Sequence, residues 1–171
     1  MNSLTNVDSN PKFKLPEGVT VMSGWNEWVM NGLVSRSREP EMQKWVPRDF
    51  SERFADFESA KKWGNRDEHI VYSLVIDEEL AGIVWFTRYD EPKYENADFT
   101  FAIRMYEKSR GKGLSSLFAG TAIADLEKSH GYTGKIWLET DTDNEIALKL
   151  YSRLGFERVS EHGKRVVLIR P

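Results

Sequence analysis

Residues 98–118, DFTFAIRMYEKSRGKGLSSLF, decide the fold. Phe99, Phe101, Ile103 and Met105 alternate with Asp98, Thr100, Ala102 and Arg104. A period of two puts these sets on opposite faces of a β-strand. Past a short polar loop comes Arg110-Gly111-Lys112-Gly113, and then apolar residues recur at Leu114, Leu117, Phe118, Ala122 and Leu126. That spacing is one face of a helix, which Gly131 closes. Residues 135–140, with Ile136, Trp137 and Leu138, read as the next strand. Strand, crossover helix and strand form a right-handed parallel unit. Its glycine loop falls at the C-terminal end of the first strand, where α/β folds usually bind ligands.

Working outward, residues 69–76 and 80–89 read as a hairpin about Asp77-Glu78-Glu79, and Val19-Thr20-Val21-Met22 as a short strand. Trp25, Trp28, Val29 and Leu33 mark a helix over residues 25–37, stopped at Glu39-Pro40. Phe50, Phe54, Phe57 and Ala60 mark another over residues 48–63, with Gly64-Asn65 as its C-cap. Downstream, Ala147, Leu150, Tyr151 and Leu154 share one face of a helix over residues 144–154, capped by Gly155 with Phe156 as its hydrophobic contact. Residues 156–159 and 164–169 close the chain as two strands. The expected fold is mixed α/β: a mostly antiparallel sheet with one parallel crossover and flanking helices.

A length of 171 residues suits one compact domain. Residues 18–171 are assigned to it, and residues 1–17, polar with Pro11 and Pro16, are expected to form a flexible tail. No apolar run approaches the roughly 18 residues of a membrane span, and the start lacks the apolar core of a signal peptide. A cytoplasmic location and no membrane partner are expected. The net charge of −3 and the lack of a basic tract give no electrostatic case for nucleic acid. There is no cysteine, which excludes disulfides, thiolate metal sites and cysteine nucleophiles. His69, His130 and His162 lack ligand spacing, so no metal is expected.

Where a strand passes through glycines into a helix, the first amides have no intrahelical partners and sit at the positive end of the helix dipole. A phosphate or pyrophosphate is the natural ligand of such a nest. The P-loop pattern fails here, because Lys112 lies between the glycines with no Ser or Thr after it. The dinucleotide pattern fails too, because Ser116 holds the third glycine position.

The stretch from Thr100 to Phe156 resembles the core of the GNAT superfamily of acetyl-CoA-dependent N-acetyltransferases. Of that family's signature [QR]xxGx[GA], Arg110 matches the first position and Gly113 the fourth, while Ser115 stands where Gly or Ala is usual. A second signature on the later helix is matched in spacing by Asn144, Ala147, Tyr151, Gly155 and Phe156. The resemblance implies two splayed central strands with the pantetheine arm of acetyl-CoA between them. Ile103 and Met105 would then offer backbone groups to that arm. Arg110, Gly111, Lys112, Gly113, Leu114 and Ser115 would hold the pyrophosphate, with the Lys112 side chain either on a phosphate or in solvent.

The implied reaction is acetyl transfer from acetyl-CoA directly to a primary amine of a small molecule or a peptide or protein terminus. A backbone N–H near the splay would stabilise the oxyanion. Tyr151 would protonate the departing thiolate, since a phenol stays protonated at neutral pH. Asn144 either bonds the cofactor or caps its helix. Asp98 and Glu139 are the candidate general bases. Acceptor specificity is expected from the region holding Arg36, Arg38, Glu39, Glu41, Trp45 and Arg48, and acyl length from the space near Trp85 and Ala102. The resemblance also admits a homodimer. Alternatives are a catalytically silent module that binds acyl-CoA, and a domain whose loop binds another anion.

Overall fold

Alternation at residues 99–105 builds the strand on which the sheet turns from antiparallel to parallel. In the computed structural model, which describes residues 3–66 and 68–171, the elements run in the following order. Strands β1 (Thr5–Asn6) and β2 (Val19–Ser23) precede helices α1 (Glu27–Arg36) and α2 (Pro40–Trp45), a π-helical turn (Asp49–Arg53) and α3 (Phe57–Arg66). Then come β3 (His69–Ile76), β4 (Glu79–Arg88), β5 (Phe99–Met105), α4 (Ser115–Ser129), β6 (Ile136–Asp141), α5 (Glu145–Arg153), β7 (Glu157–His162) and β8 (Arg165–Arg170). The eight strands form one sheet in the order β1-β2-β3-β4-β5-β6-β8-β7. Only β5 and β6 are parallel neighbours; the other pairs are antiparallel. The expected mixed sheet with a single crossover is the one present.

Each face of the sheet is covered. Phe86, Phe99, Phe101, Ile136 and Leu138 pack under α4 and α5, against Phe118, Leu126, Tyr151 and Phe156. Ile83 and Trp85 point the other way, to Val29, Leu33, Phe54 and Trp63 of the helical segment between β2 and β3. Because both faces are covered, β4 is buried along nearly its whole length.

That helical segment departs from the expected pair of helices. Pro40 does not merely stop α1; it opens α2, where a missing N–H costs nothing at the first helical position. The expected helix over residues 48–63 is two pieces. Phe54 N–H donates to Asp49 O, the wide bond of a π-turn, and the Asp56 side chain accepts from Ser59 N–H at 2.7 Å to start α3 afresh. Gly64-Asn65 is not a C-cap either, since α3 runs on to Arg66. Gly64 is needed for space, because a Cβ there would overlap the Trp25 indole.

Residues 3–17, read from sequence as part of a tail, carry β1 and lie along the domain. Thr5 and Asn6 pair with Ser23 and Met22. Val7 and Leu15 pack on the core, and the Phe13 ring occupies the place where a side chain at Gly120 would stand.

Candidate active site

The ladder between β5 and β6 is short. Phe99 pairs with Ile136 and Thr100 with Trp137, and pairing ends there. Both strands continue, to Met105 and Asp141, but apart. Tyr106 N–H donates to Ala81 O and Tyr89 N–H to Asp98 O. The even-numbered residues of β5 therefore turn their backbone groups to β4, and the odd-numbered ones face the gap. Two carbonyls on that side are engaged: Ile103 O accepts from Arg104 Nη1 at 3.0 Å, and Met105 O from Arg110 Nη1 at 3.1 Å. The N–H groups of Ile103 and Met105 are left directed into the gap.

The loop after β5 is tied down at its root. Ser109 and Arg110 N–H both donate to Tyr106 O, and the buried Ser109 hydroxyl donates to Ala81 O at 2.6 Å. Glu39, at the α1–α2 corner, accepts from Glu107 N–H at 2.9 Å and from Arg110 Nη1 at 3.1 Å. Gly111 and Gly113 then adopt φ of 73° and 68°, in the left-handed region that disfavours side chains. Alternation of left- and right-handed residues gathers successive amides on one side as an anion-binding nest. At the start of α4 no side chain caps the helix and no acidic residue stands in the first turn. Its leading amides are free of internal competitors.

Gap and loop open into one cleft of about 980 Å³. Of the residues singled out from sequence, Ile103, Met105, Arg110, Gly111, Gly113, Leu114, Ser115, Glu139, Asn144 and Tyr151 line it. Lys112 and Asp98 are not among the lining residues. Asp98 precedes β5, at the end of that strand away from the splay, and its N–H donates to the Tyr132 hydroxyl at 3.1 Å. Glu139 is held by Lys93 at 3.1 Å and lies 4.0 Å from Arg165. The Asn144 side chain accepts from Ala147 N–H at 3.3 Å, so its carbonyl oxygen caps α5.

Tyr151 packs against Phe101 and Phe156 and is 7% exposed. Burial pushes its phenol pKa up, and Arg104 and Arg165 pull it only part of the way back. The hydroxyl therefore stays protonated at neutral pH, as a proton donor must.

Other lining residues had no local signal in the sequence. Trp63 stacks on His69 with ring centroids 3.9 Å apart, and the His69 Nδ1 lies 2.9 Å from Thr87 Oγ1. Arg104 lies 4.7 Å above the Trp85 ring and donates through Nε to the buried Asp49 at 2.6 Å. Arg53 donates to the same carboxylate at 2.9 Å. The contacts of Arg104 and of His69 with Thr87 join segments far apart in the chain, which no periodicity reports. Trp85 and Ala102 do line the cleft. Among the described residues no group of His, Asp and Glu is arranged to hold a metal ion, and no helix is long and apolar enough to cross a membrane.

Comparison with known proteins gives this geometry its family. A solved ribosomal-protein-S5-alanine acetyltransferase from Vibrio fischeri superposes with a TM-score of 0.66 at 13% identity, covering 92% of this chain and 94% of that one. The enzyme AAC(6')-Ib, solved in complex with ribostamycin and coenzyme A, superposes with a TM-score of 0.71 at 17% identity, covering 90% and 93%. In sequence, the chain is 26% identical over 161 residues to a mycothiol acetyltransferase of Salinispora arenicola and 27% identical over 164 residues to one of Geodermatophilus obscurus. Those alignments cover 89% and 91% of this chain but only 49% and 50% of the relatives, so the chain spans about half the length of the curated proteins it matches. The model of the acetyltransferase (GNAT) family matches residues 34–156, most of the chain. The chain belongs to the GNAT acetyltransferase family.

Proposed function

We propose that this protein transfers an acetyl group from acetyl-CoA directly to a primary amine, of a small molecule or of a peptide or protein terminus. The observation that carries the reading is the unpaired edge of β5, which lies in the same cleft as the uncapped α4 amides and the protonated Tyr151. The fit to acetyl-CoA rests on two features of the chain. The left-handed glycine loop presents amides with nothing crowding it, and the N–H groups of Ile103 and Met105, beyond the end of the β5–β6 ladder, suit a pantetheine arm running along β5.

Acetyl-CoA, when bound, supplies an activated thioester carbonyl. The amides of residues 111–115 hold its pyrophosphate, and the Ile103 and Met105 N–H groups orient the arm and stabilise negative charge developing on the carbonyl oxygen. The amine nitrogen bonds to the carbonyl carbon as the carbon–sulfur bond breaks. Tyr151 gives its proton to the leaving sulfur, and the nitrogen gives one up to water. Of the two candidate carboxylates we assign that proton, through water, to Glu139; the support is that it lines the cleft and Asp98 does not. The relatives and neighbours include mycothiol acetyltransferases, a ribosomal-protein-S5-alanine acetyltransferase and AAC(6')-Ib, solved with ribostamycin and coenzyme A, which supports an amine acceptor and leaves its size open.

The test is the thermal melting shift with acetyl-CoA, CoA and ATP. A ligand at about 100 times its dissociation constant stabilises the native state by about 2.7 kcal/mol. Shifts with both CoA species and none with ATP are expected, followed by thiol release with an amine panel. Binding without release over the whole panel would mark a silent acyl-CoA module. No shift with either CoA species overturns the assignment.

A further inference from the structure

Two guanidinium groups share one carboxylate at the floor of the cleft. Asp49 is 1% exposed. It accepts from Arg53 Nη1 at 2.9 Å and from Arg104 Nε at 2.6 Å. The π-helical turn at Asp49–Arg53 produces the first contact by bringing both side chains to one side, and β5 supplies the second from across the cleft. The cluster carries one positive charge more than it can neutralise. Neighbouring carboxylates do not supply the difference. Glu139 is held by Lys93 at 3.1 Å, Asp141 by Arg165 at 2.9 Å, and Glu52 by Arg48 at 3.0 Å. Glu41, Asp143 and Glu145 also line the cleft but stand on its exposed rim, where water screens them.

Of the two guanidiniums, Arg53 is the one with an open fork. Arg104 spends Nε and Nη2 on Asp49 and Nη1 on Ile103 O. Among the described residues, Arg53 makes a single bond, to Asp49, although a guanidinium has five N–H donors. Its side chain is 28% exposed and lines the cleft beside Trp63 and Trp85. A planar guanidinium anchored through Nη1 on a buried carboxylate keeps its Nε–Nη2 edge for a bidentate anion.

We propose that the acceptor amine carries a carboxylate, as an amino acid or a peptide does, and that Arg53 is the residue that recognises it. This rests on the acetyl-transfer reading above. The acceptor's carboxylate completes the charge balance of Asp49, Arg53 and Arg104, while the aromatic walls hold its body. A polycationic amine meets the same surplus charge and is disfavoured.

The experiment compares thiol release for matched amines: β-alanine against β-alaninamide, L-phenylalanine against L-phenylalaninamide, and a tripeptide against its C-terminal amide. In the wild-type protein the carboxylate-bearing member should have kcat/KM about tenfold or more higher, the scale of one charge-assisted hydrogen-bonded contact. In Arg53→Gln the ratio should fall to within about twofold, and Arg53→Lys, which keeps charge but not the fork, should lie between. Melting temperatures of both variants check that the fold is intact. Ligand-induced melting shifts, read with and without CoA, give a second measure independent of turnover. The carboxylates should raise the melting temperature of the wild type and not of Arg53→Gln. A wild-type ratio near one, a ratio unchanged in Arg53→Gln, or no shift with any carboxylate overturns the proposal. Failure of the acetyl-transfer reading shows separately, as the lack of any wild-type shift with acetyl-CoA or CoA.

Discussion

Tyr151 and Gly113 illustrate how much a single position can carry. Tyr151 is raised in pKa by burial and faces the cleft, so its phenol carries its proton at neutral pH. Tyr151→Phe should lower kcat by about a hundredfold, the lower end for loss of a general acid, with CoA affinity kept within about twofold. Steady-state rates and a CoA titration check this; loss of affinity with turnover intact would instead make Tyr151 a packing residue. At Gly113 nothing stands near an added Cβ, yet φ is 68°. The obstacle is therefore the backbone. A left-handed L-residue costs about 1–2 kcal/mol, and a β-branched one relieves the strain by turning the loop amides away. Gly113→Val should weaken CoA binding about tenfold or more, read by calorimetry.

At the scale of elements, α3 shows a local preference overruled by packing. Alanine is favoured over glycine inside a helix by about 1 kcal/mol. At Gly64 the Cβ would overlap the Trp25 ring, which itself packs on Trp63 at a centroid distance of 5.3 Å. Overpacking of that kind costs about 1–3 kcal/mol, so it offsets the helical gain or exceeds it. Gly64→Ala should lower the denaturation midpoint despite its better helix propensity; a raised midpoint would show that Trp25 moves aside freely. The α1–α2 corner matters in a second way. Glu39 ties it to both Glu107 and Arg110, so one carboxylate connects the α1–α2 corner with the glycine loop after β5.

For the whole molecule, the buried phenols set an alkaline limit. Tyr72, Tyr106 and Tyr151 all have pKa values raised chiefly by burial, and Tyr72 also donates to Asp125 at 2.8 Å. A phenol whose folded pKa exceeds its unfolded value of about 10 holds its proton longer in the native state. Its contribution is complete below that unfolded value and is lost as pH climbs toward the folded one. Stability should therefore be insensitive to these three groups at neutral pH and fall above about pH 10. Part of the phenolate absorbance should rise together with loss of circular dichroism. Full phenolate absorbance in a still-folded protein would contradict the burial of these rings.

The change of period across residues 98–118 was enough to order a strand, a loop and a helix, because such patterns record which side of each local element must leave water. The spacing from Asn144 to Phe156 was legible for the same reason, since cap, apolar stripe and closing glycine all lie within a few turns of one helix. Only the tertiary structure decided where β5 and β6 part, that the side-chain oxygen of Asn144 is spent on its own helix, and that Glu139 and not Asp98 reaches the cleft. It alone brought Arg104 onto the local Asp49–Arg53 pair, and it alone split the run over residues 48–63 into a π-turn and a helix. Local periodicity reports burial along a segment. Which distant charge or ring supplies that burial is settled when the segments pack, as when β5 brings Arg104 onto Asp49.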